Sequence, residues 1–138
     1  MSKIYVAGPM FSQAELAFNE TLADFLESLG HQVFLPQRSG FQMTELLKTM
    51  TPDEVSRLIF STDYENIRKN DLFLLVLDGR VPDEGACVAL GLAFASNKPC
   101  CGLKTGSRSE FTTGNNPMID GSLQKIFRSL EELRKLPL

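Results

Sequence analysis

The sequence predicts an α/β fold in which a doubly wound parallel sheet of about five strands is flanked by helices. Short apolar runs alternate with amphipathic stretches along the chain, which is the pattern of successive β-α-β units. The most apolar run, residues 72–77 (LFLLVL), has the length of a strand and no polar position, as expected for a central strand covered on both faces. The 138 residues are expected to form a single domain, 1–138.

Particular residues mark where the predicted helices begin and end. Ser12 and Glu15 have the spacing of a capping box, and Thr51-Pro52 places a cap before a proline at the first helical position. Gly30 suits the position that follows a helix end. In chain order, the predicted elements are strand 4–7, helix 13–29, strand 33–35, short helix 43–50, helix 52–68, strand 72–77, helix 85–96, strand 100–103, a polar loop 104–117 and a closing amphipathic helix carried by Leu123, Ile126, Phe127, Leu130 and Leu133.

Composition and charge exclude several classes of protein. The net charge of −3 argues against a surface for nucleic acid or anionic membranes. Because His31 is the only histidine, acid–base chemistry is left to carboxylates, cysteine, tyrosine or lysine. The cysteines, Cys87, Cys100 and Cys101, make a poor disulfide framework, and the amino terminus lacks the pattern of a signal peptide. Both observations favour a cytoplasmic protein.

Parallel sheets of this type bind ligands beyond the carboxyl ends of their strands. That rule selects four segments: residues 8–11, 36–38, 78–85 and the loop after Leu103. The Gly8-Pro9 turn lacks the further glycines of a phosphate-binding loop, so it is either a tight turn or one wall of a ligand site. The acids Asp78, Asp83 and Glu84 either cap the following helix or bind a substrate rich in hydroxyls.

Two further features have both a structural and a functional interpretation. Asp63 lies near the predicted end of a helix, where a carboxylate opposes the helix dipole unless it is solvated or has a function. The cysteines have no histidine nearby in sequence, so we expect small buried side chains and not nucleophiles.

Taken together, these segments resemble the nucleoside 2-deoxyribosyltransferase family. The similarity covers most of the chain, and the order and spacing of the motifs are more specific than any one motif. The matching segments are Lys3–Phe11 (KIYVAGPMF), Asn70-Asp71, Asp83-x-Gly85, Leu90-Gly91-x-Ala93, Asn97-Lys98-Pro99 and Asn116-Pro117-Met118.

The resemblance implies a Rossmann/flavodoxin-like subunit that exchanges the base of a 2′-deoxynucleoside. In this family a glutamate attacks C1′ and expels the base, and an acceptor base then takes the covalently held deoxyribosyl group. The implied partners are nucleosides and free nucleobases, with no nucleic acid, no membrane, no metal and no organic cofactor. A homo-oligomer built on dimers, up to a hexamer, is also implied.

The resemblance also assigns roles to individual side chains. Asp83 is expected to hold the sugar hydroxyls, Asp63 to assist proton transfer near the departing base, and Tyr5 to orient the nucleophile. The other implied substrate contacts are Gly8 and Phe11 as the wall of the base pocket, Gln37 at the base, Gly85 beside Asp83, Asp78 at the sugar, and Asn116 and Met118 reaching into a neighbouring subunit's site.

One position departs from the family's pattern. The nucleophilic glutamate is expected just before Leu90-Gly91, and this chain has Ala89 there. Alanine has no group that attacks an anomeric carbon, and Glu84 lies about 140° away around the helix. The chain is therefore expected to be inactive, either as a natural relative that lost the chemistry or as an engineered Glu→Ala variant. The presence of the other matching residues favours the engineered variant.

Two alternatives stay open. One is an N-glycosidase that hydrolyses a nucleoside or a nucleoside 5′-monophosphate. In that case Ser107, Arg108 and Ser109 are candidates for the phosphate site, unless they form an exposed polar loop. The other is a non-catalytic nucleoside-binding module on the same fold.

Overall fold

A five-stranded, all-parallel sheet forms the centre of the computed structural model, which describes residues 1–107 and 114–138. The elements of the described residues are β1 (Lys3–Ala7), α1 (Gln13–Ser28), β2 (Gln32–Phe34), α2 (Pro36–Ser39), α3 (Met43–Leu46), α4 (Pro52–Lys69), β3 (Leu72–Val76), α5 (Glu84–Ala95), β4 (Cys100–Leu103), α6 (Pro117–Ser122), β5 (Lys125–Phe127) and a 3-10 helix (Glu131–Lys135). The strand order β2-β1-β3-β4-β5 is that of a doubly wound sheet, so the predicted fold class is confirmed.

Alternation along β1 divides the core into two layers. Ile4 and Val6 face one side of the sheet and pack with Leu22 and Leu26 of α1. Tyr5 faces the opposite side, where its layer includes residues of α4 and α5. Because successive strand residues point to opposite faces, the register of β1 places the Tyr5 ring on the α4/α5 side.

The predicted helix signals are confirmed. The Ser12 side chain accepts a hydrogen bond from the Glu15 backbone N–H, and the Glu15 carboxylate accepts one in return from the Ser12 N–H. The Thr51 side chain caps α4 by accepting a hydrogen bond from the Glu54 N–H. Gly30 has a φ of +92°, the left-handed conformation that favours glycine after a helix end. Strand β3 is buried at every position, as its sequence predicts.

The prediction of a closing amphipathic helix is wrong. The segment that contains Ile126 and Phe127 forms strand β5, and the 3-10 helix follows it. Ile126 packs on the α4/α5 face and Phe127 on the α1 face, which is the two-residue period of a strand. The local spacing of three and four was misleading because β4 needs a hydrogen-bonded neighbour, and Gly102 pairs with Ile126 to provide it. A Cβ on Gly102 would lie 2.9 Å from Leu77 Cδ1 and 3.0 Å from Leu123 Cδ1, so a larger residue would require the ends of these leucine side chains to shift.

Other boundaries differ by a few residues. The short helix predicted over 43–50 ends at Leu46, and α6 begins at Pro117, the last residue of the predicted loop. Two of the residues proposed for a phosphate site, Arg108 and Ser109, lie outside the described residues. Within the described part of the chain, no helix has the length and apolar character needed to cross a membrane.

Candidate active site

A cavity of about 470 Å³ opens at the carboxyl end of β1, on the side of the sheet covered by α4 and α5. Its walls come from β1 and the loop after it, from the loop after β2, and from α3, α4 and α5. Apolar side chains and glycines form most of the lining. The polar lining residues are Tyr5, Ser56, Asp63, Tyr64 and Asp83. The position beyond the strand ends is the one predicted from the topology.

The ring of Tyr5 is held in a stack of three aromatic rings across neighbouring strands. Tyr5 pairs in register with Phe34 of β2 and with Phe73 of β3. The ring centroids lie 5.1 Å and 5.5 Å from that of Tyr5, with interplanar angles of 23° and 11°. Stacking on both faces fixes the plane of the tyrosine ring and therefore the direction of its hydroxyl.

The Tyr5 hydroxyl and the Asp63 carboxylate of α4 both line the cavity and interact with each other. Burial raises the pKa of Asp63, and the polar interaction with the Tyr5 hydroxyl partly offsets this rise. Burial, reinforced by the nearby Asp63 charge, raises the pKa of Tyr5 well above its usual range, so the phenol keeps its proton. Asp63 lies well inside α4, not in its last turn, so burial and not the helix dipole dominates its electrostatics.

Asp83 and Ala89 reach the cavity from the start of α5. Asp83 is the cap of this helix, and its Oδ2 accepts a hydrogen bond of 2.8 Å from the Ala86 N–H. The capping interpretation of Asp83 is therefore confirmed, while the residue also lines the cavity. Ala89 lies about one and a half turns further along and lines the cavity with Gly85.

Gly8 allows the chain to leave β1 close against β3. A Cβ at this position would lie 2.8 Å from Cβ of Val76, closer than real side chains approach. The glycine therefore lets the β1–α1 loop cross the strand end, and both Gly8 and Met10 line the cavity. The turn has a packing role and a place in the cavity wall.

Several residues selected from the sequence do not line this cavity. Phe11 is 80% exposed, and the Gln37 amide lies in an adjoining groove where it bonds to α1. Asp78 lies in a separate cleft, where its carboxylate accepts hydrogen bonds from both the N–H and the hydroxyl of Thr105.

Asn116 and Met118 are also outside the cavity of their own chain. The Asn116 side chain caps α6 by accepting a hydrogen bond of 2.9 Å from the Met118 N–H. Met118 is 80% exposed, so its side chain projects away from the body of the subunit.

The cysteines are not part of the cavity. All three are free, Cys100 and Cys101 are buried in β4, and Cys87 is half-buried on α5. Burial raises the pKa of the Cys100 thiol to about 11. A neutral thiol in a packed strand fits the predicted role as a small core side chain.

A sequence model of the nucleoside 2-deoxyribosyltransferase family matches residues 4–119. The match spans both walls of the cavity, from β1 to α6. This chain belongs to the nucleoside 2-deoxyribosyltransferase family. No curated protein sequence matches the chain.

Solved structures share the family fold over nearly the whole chain. A conserved protein from Enterococcus faecalis V583 is 29% identical, with a TM-score of 0.80 over 96% of this chain and 94% of that one. A 2-deoxyribosyltransferase from Bacillus psychrosaccharolyticus is 23% identical, with a TM-score of 0.81 over 99% and 93%. A CMP N-glycosidase from Clostridium botulinum is 23% identical, with a TM-score of 0.62 over 97% and 96%. The fold is thus shared by relatives named for transfer and for hydrolysis.

The sequence did not lead us to predict the face of α4 that lines the cavity. Intervals of three and four residues place this set on one side of the helix. The set consists of Ser56, Ile59, Phe60, Asp63, Tyr64 and Ile67. The signal was present in the sequence, but the stripe mixes polar and apolar side chains, and a search for apolar periodicity does not select it.

Proposed function

We propose that this chain is a nucleoside 2-deoxyribosyltransferase scaffold that binds a 2′-deoxynucleoside but does not transfer its sugar. The observation that carries the proposal is that Ala89 lines the same cavity as Tyr5, Asp63 and Asp83. Three groups suited to holding and protonating a nucleoside are present together, and an alanine stands where the family's pattern has a glutamate.

The division of the cavity supports a particular placement of the nucleoside. Met10, Pro36, Met43 and Phe60 form an apolar part suited to a planar base, which gains from apolar and aromatic contact. Asp83 has a carboxylate oxygen free of the capping bond, which accepts a hydrogen bond from a sugar hydroxyl. The scissile bond then lies between these parts, close to Asp63 and position 89.

In the complete reaction, a carboxylate oxygen at position 89 forms a bond to C1′ while the N-glycosidic bond breaks. The bonding electrons go to the base nitrogen, and the base also takes up a proton. Burial raises the pKa of Asp63, which favours the protonated acid needed to donate that proton. A ring nitrogen of the acceptor base then attacks C1′, its proton passes to the Asp63 carboxylate, and the carboxylate at position 89 is released. Ala89 removes the first step and leaves the binding groups in place.

The exposed surface of α5 supports a homo-oligomer. The segment from Gly85 to Asn97 contains no charged residue, yet Val88 is 61% exposed. Phe94 of α5 and Phe60 of α4 are also exposed. A helix that is apolar all round is typical of a buried position, so we propose that a second copy covers this face. The projecting Met118 would then reach the neighbour's cavity together with Asn116.

Binding without turnover is the direct test of this proposal. Calorimetry with thymidine and with 2′-deoxyadenosine is expected to show binding, and chromatography of the same mixtures is expected to recover both nucleosides intact. Release of free base from the unmodified chain would favour the N-glycosidase alternative. Tighter binding of thymidine 5′-monophosphate than of thymidine would favour a nucleotide substrate. No binding of any of these ligands would refute the scaffold.

A further inference from the structure

A buried asparagine interrupts the apolar face of α1. Asn19 is 2% exposed and lies one turn before the core residue Leu22. Its amide group donates two hydrogen bonds of 3.0 Å, one to the Pro9 carbonyl and one to Oε1 of Gln37. A buried amide is costly unless it is hydrogen-bonded, and here both of its protons have acceptors.

Both the oxygen and the nitrogen of the Gln37 side-chain amide form hydrogen bonds. Its Oε1 accepts from Asn19, and its Nε2 donates to the Leu16 carbonyl at 3.0 Å and to Oε1 of Glu20 at 2.8 Å. Arg38 in turn forms an ion pair with Glu20. Gln37 would have to break these bonds to contact a base in the cavity.

These bonds join the loop after β1 to helix α2, which together form one wall of the cavity. Pro9 belongs to the loop after β1, and Gln37 to α2, which follows the neighbouring strand β2. Met10 and Pro36, each adjacent in sequence to one of these residues, line both the cavity and an adjoining groove of about 560 Å³. The ridge formed by Met10 and Pro36 therefore separates two spaces, and the Asn19–Gln37 pair holds the two segments that carry it.

We propose that Asn19 and Gln37 are positioning residues that fix this ridge and thereby determine which size of base the cavity accepts. Fully satisfied buried polar networks hold one arrangement, whereas the apolar contacts of Met10 and Pro36 alone would allow the ridge to shift toward the groove. This inference rests on the proposed binding of a nucleoside with its base against the ridge.

The test compares Gln37→Met and Asn19→Leu with the unmodified chain. Gln37→Met keeps the length of the half-buried side chain and removes its hydrogen bonds, so it remains informative if Asn19→Leu does not fold. Gln42→Met is the matched control, because Gln42 lines the same groove and forms no side-chain hydrogen bond among the described residues. Two quantities are measured: the ratio of the dissociation constants for 2′-deoxyadenosine and thymidine, and amide hydrogen exchange in residues 8–12 and 36–40.

We expect the positioning variants to change the ratio of dissociation constants about fivefold or more. Exchange in both segments is expected to become about tenfold faster. The control should leave both quantities within about twofold of the unmodified chain. Faster exchange with an unchanged ratio would overturn the specificity role, and unchanged exchange would overturn the positioning itself. If the unmodified chain binds neither nucleoside, the proposed function and the specificity role both fail, while exchange still decides whether the pair holds the ridge.

Discussion

Tyr5, in the middle of a stack of three aromatic rings, lines the cavity together with Asp63 of helix α4, and its hydroxyl interacts with the Asp63 carboxylate. This interaction connects the sheet to the helix that forms one side of the cavity. It also couples two groups whose pKa values are both raised by burial. Substitutions at either residue should therefore change proton binding at the other.

Tyr5→Phe should raise the pKa of Asp63 further, because the interaction with the Tyr5 hydroxyl lowers it. The ring stack is kept, so the loss of unfolding free energy should be only about 1 kcal/mol. Carbon-detected NMR titration of the aspartate carboxyl groups measures the pKa. Tyr64→Phe is the control, since Tyr64 is the other tyrosine of the chain and also lines the cavity. An Asp63 pKa that is the same in all three proteins would contradict the interaction between Tyr5 and Asp63.

Asp63→Asn should change how stability depends on pH. Because the folded chain holds the Asp63 proton more tightly than the unfolded chain, this group favours folding most at pH values below its unfolded pKa of about 4. The contribution is lost as the pH rises through the raised folded pKa. The variant has no proton to lose, so its advantage in unfolding free energy should grow from pH 4 to pH 7. Urea unfolding across this range tests the prediction, and parallel curves for the two proteins would contradict it.

Gly8→Ala should destabilise the fold by about 1–3 kcal/mol, because the added Cβ overlaps Val76 and displaces the loop that carries Met10. Nucleoside affinity should fall with it. Gly91→Ala is the matched control, since no atom beyond the neighbouring residues and the backbone of α5 lies within 4 Å of a Cβ added there. In the middle of α5 that change should stabilise by about 1 kcal/mol. Equal thermal unfolding midpoints for the two variants would contradict the close approach of Gly8 to β3.

Sodium azide should allow the unmodified chain to cleave the N-glycosidic bond, because azide can enter the space beside Ala89. The azide nitrogen would form the bond to C1′ and the base would leave with the bonding electrons and a proton, giving 2-deoxyribosyl azide. An increase in base release of about tenfold or more is expected at high azide concentration. Mass spectrometry identifies the product, and Ala89→Leu, which fills the space, is the control. Equal cleavage by both proteins would show that position 89 does not face the anomeric carbon.

Most of the sheet follows from local sequence. The capping box at Ser12, the proline after Thr51 and the uninterrupted apolar strand β3 are short-range signals, and each produced the predicted element. Strand β5 was not predicted from local sequence, because Ile126 and Phe127 adopt a strand to pair with β4 and not because of their own spacing. The other three-residue edge strand, β2, was predicted as strand 33–35, because Gly30 and Pro36 mark its two ends.

The candidate site was predictable where it depends on strand ends and less so where it depends on tertiary contact. Tyr5, Gly8, Asp63 and Asp83 were selected from the sequence and meet at one cavity. Gln37 was expected at the base, but its amide bonds to α1, which no local pattern reveals.

Base exchange by Ala89→Glu measures the central claim most directly. The variant is incubated with thymidine and adenine, and chromatography follows the formation of 2′-deoxyadenosine and thymine. A restored nucleophile should raise exchange by about 10³-fold or more over the unmodified chain. Ala95→Glu, which adds the same acid at the exposed far end of α5 and outside the cavity, should give no increase. Failure of the folded Ala89→Glu protein to exchange any purine or pyrimidine pair would contradict the account.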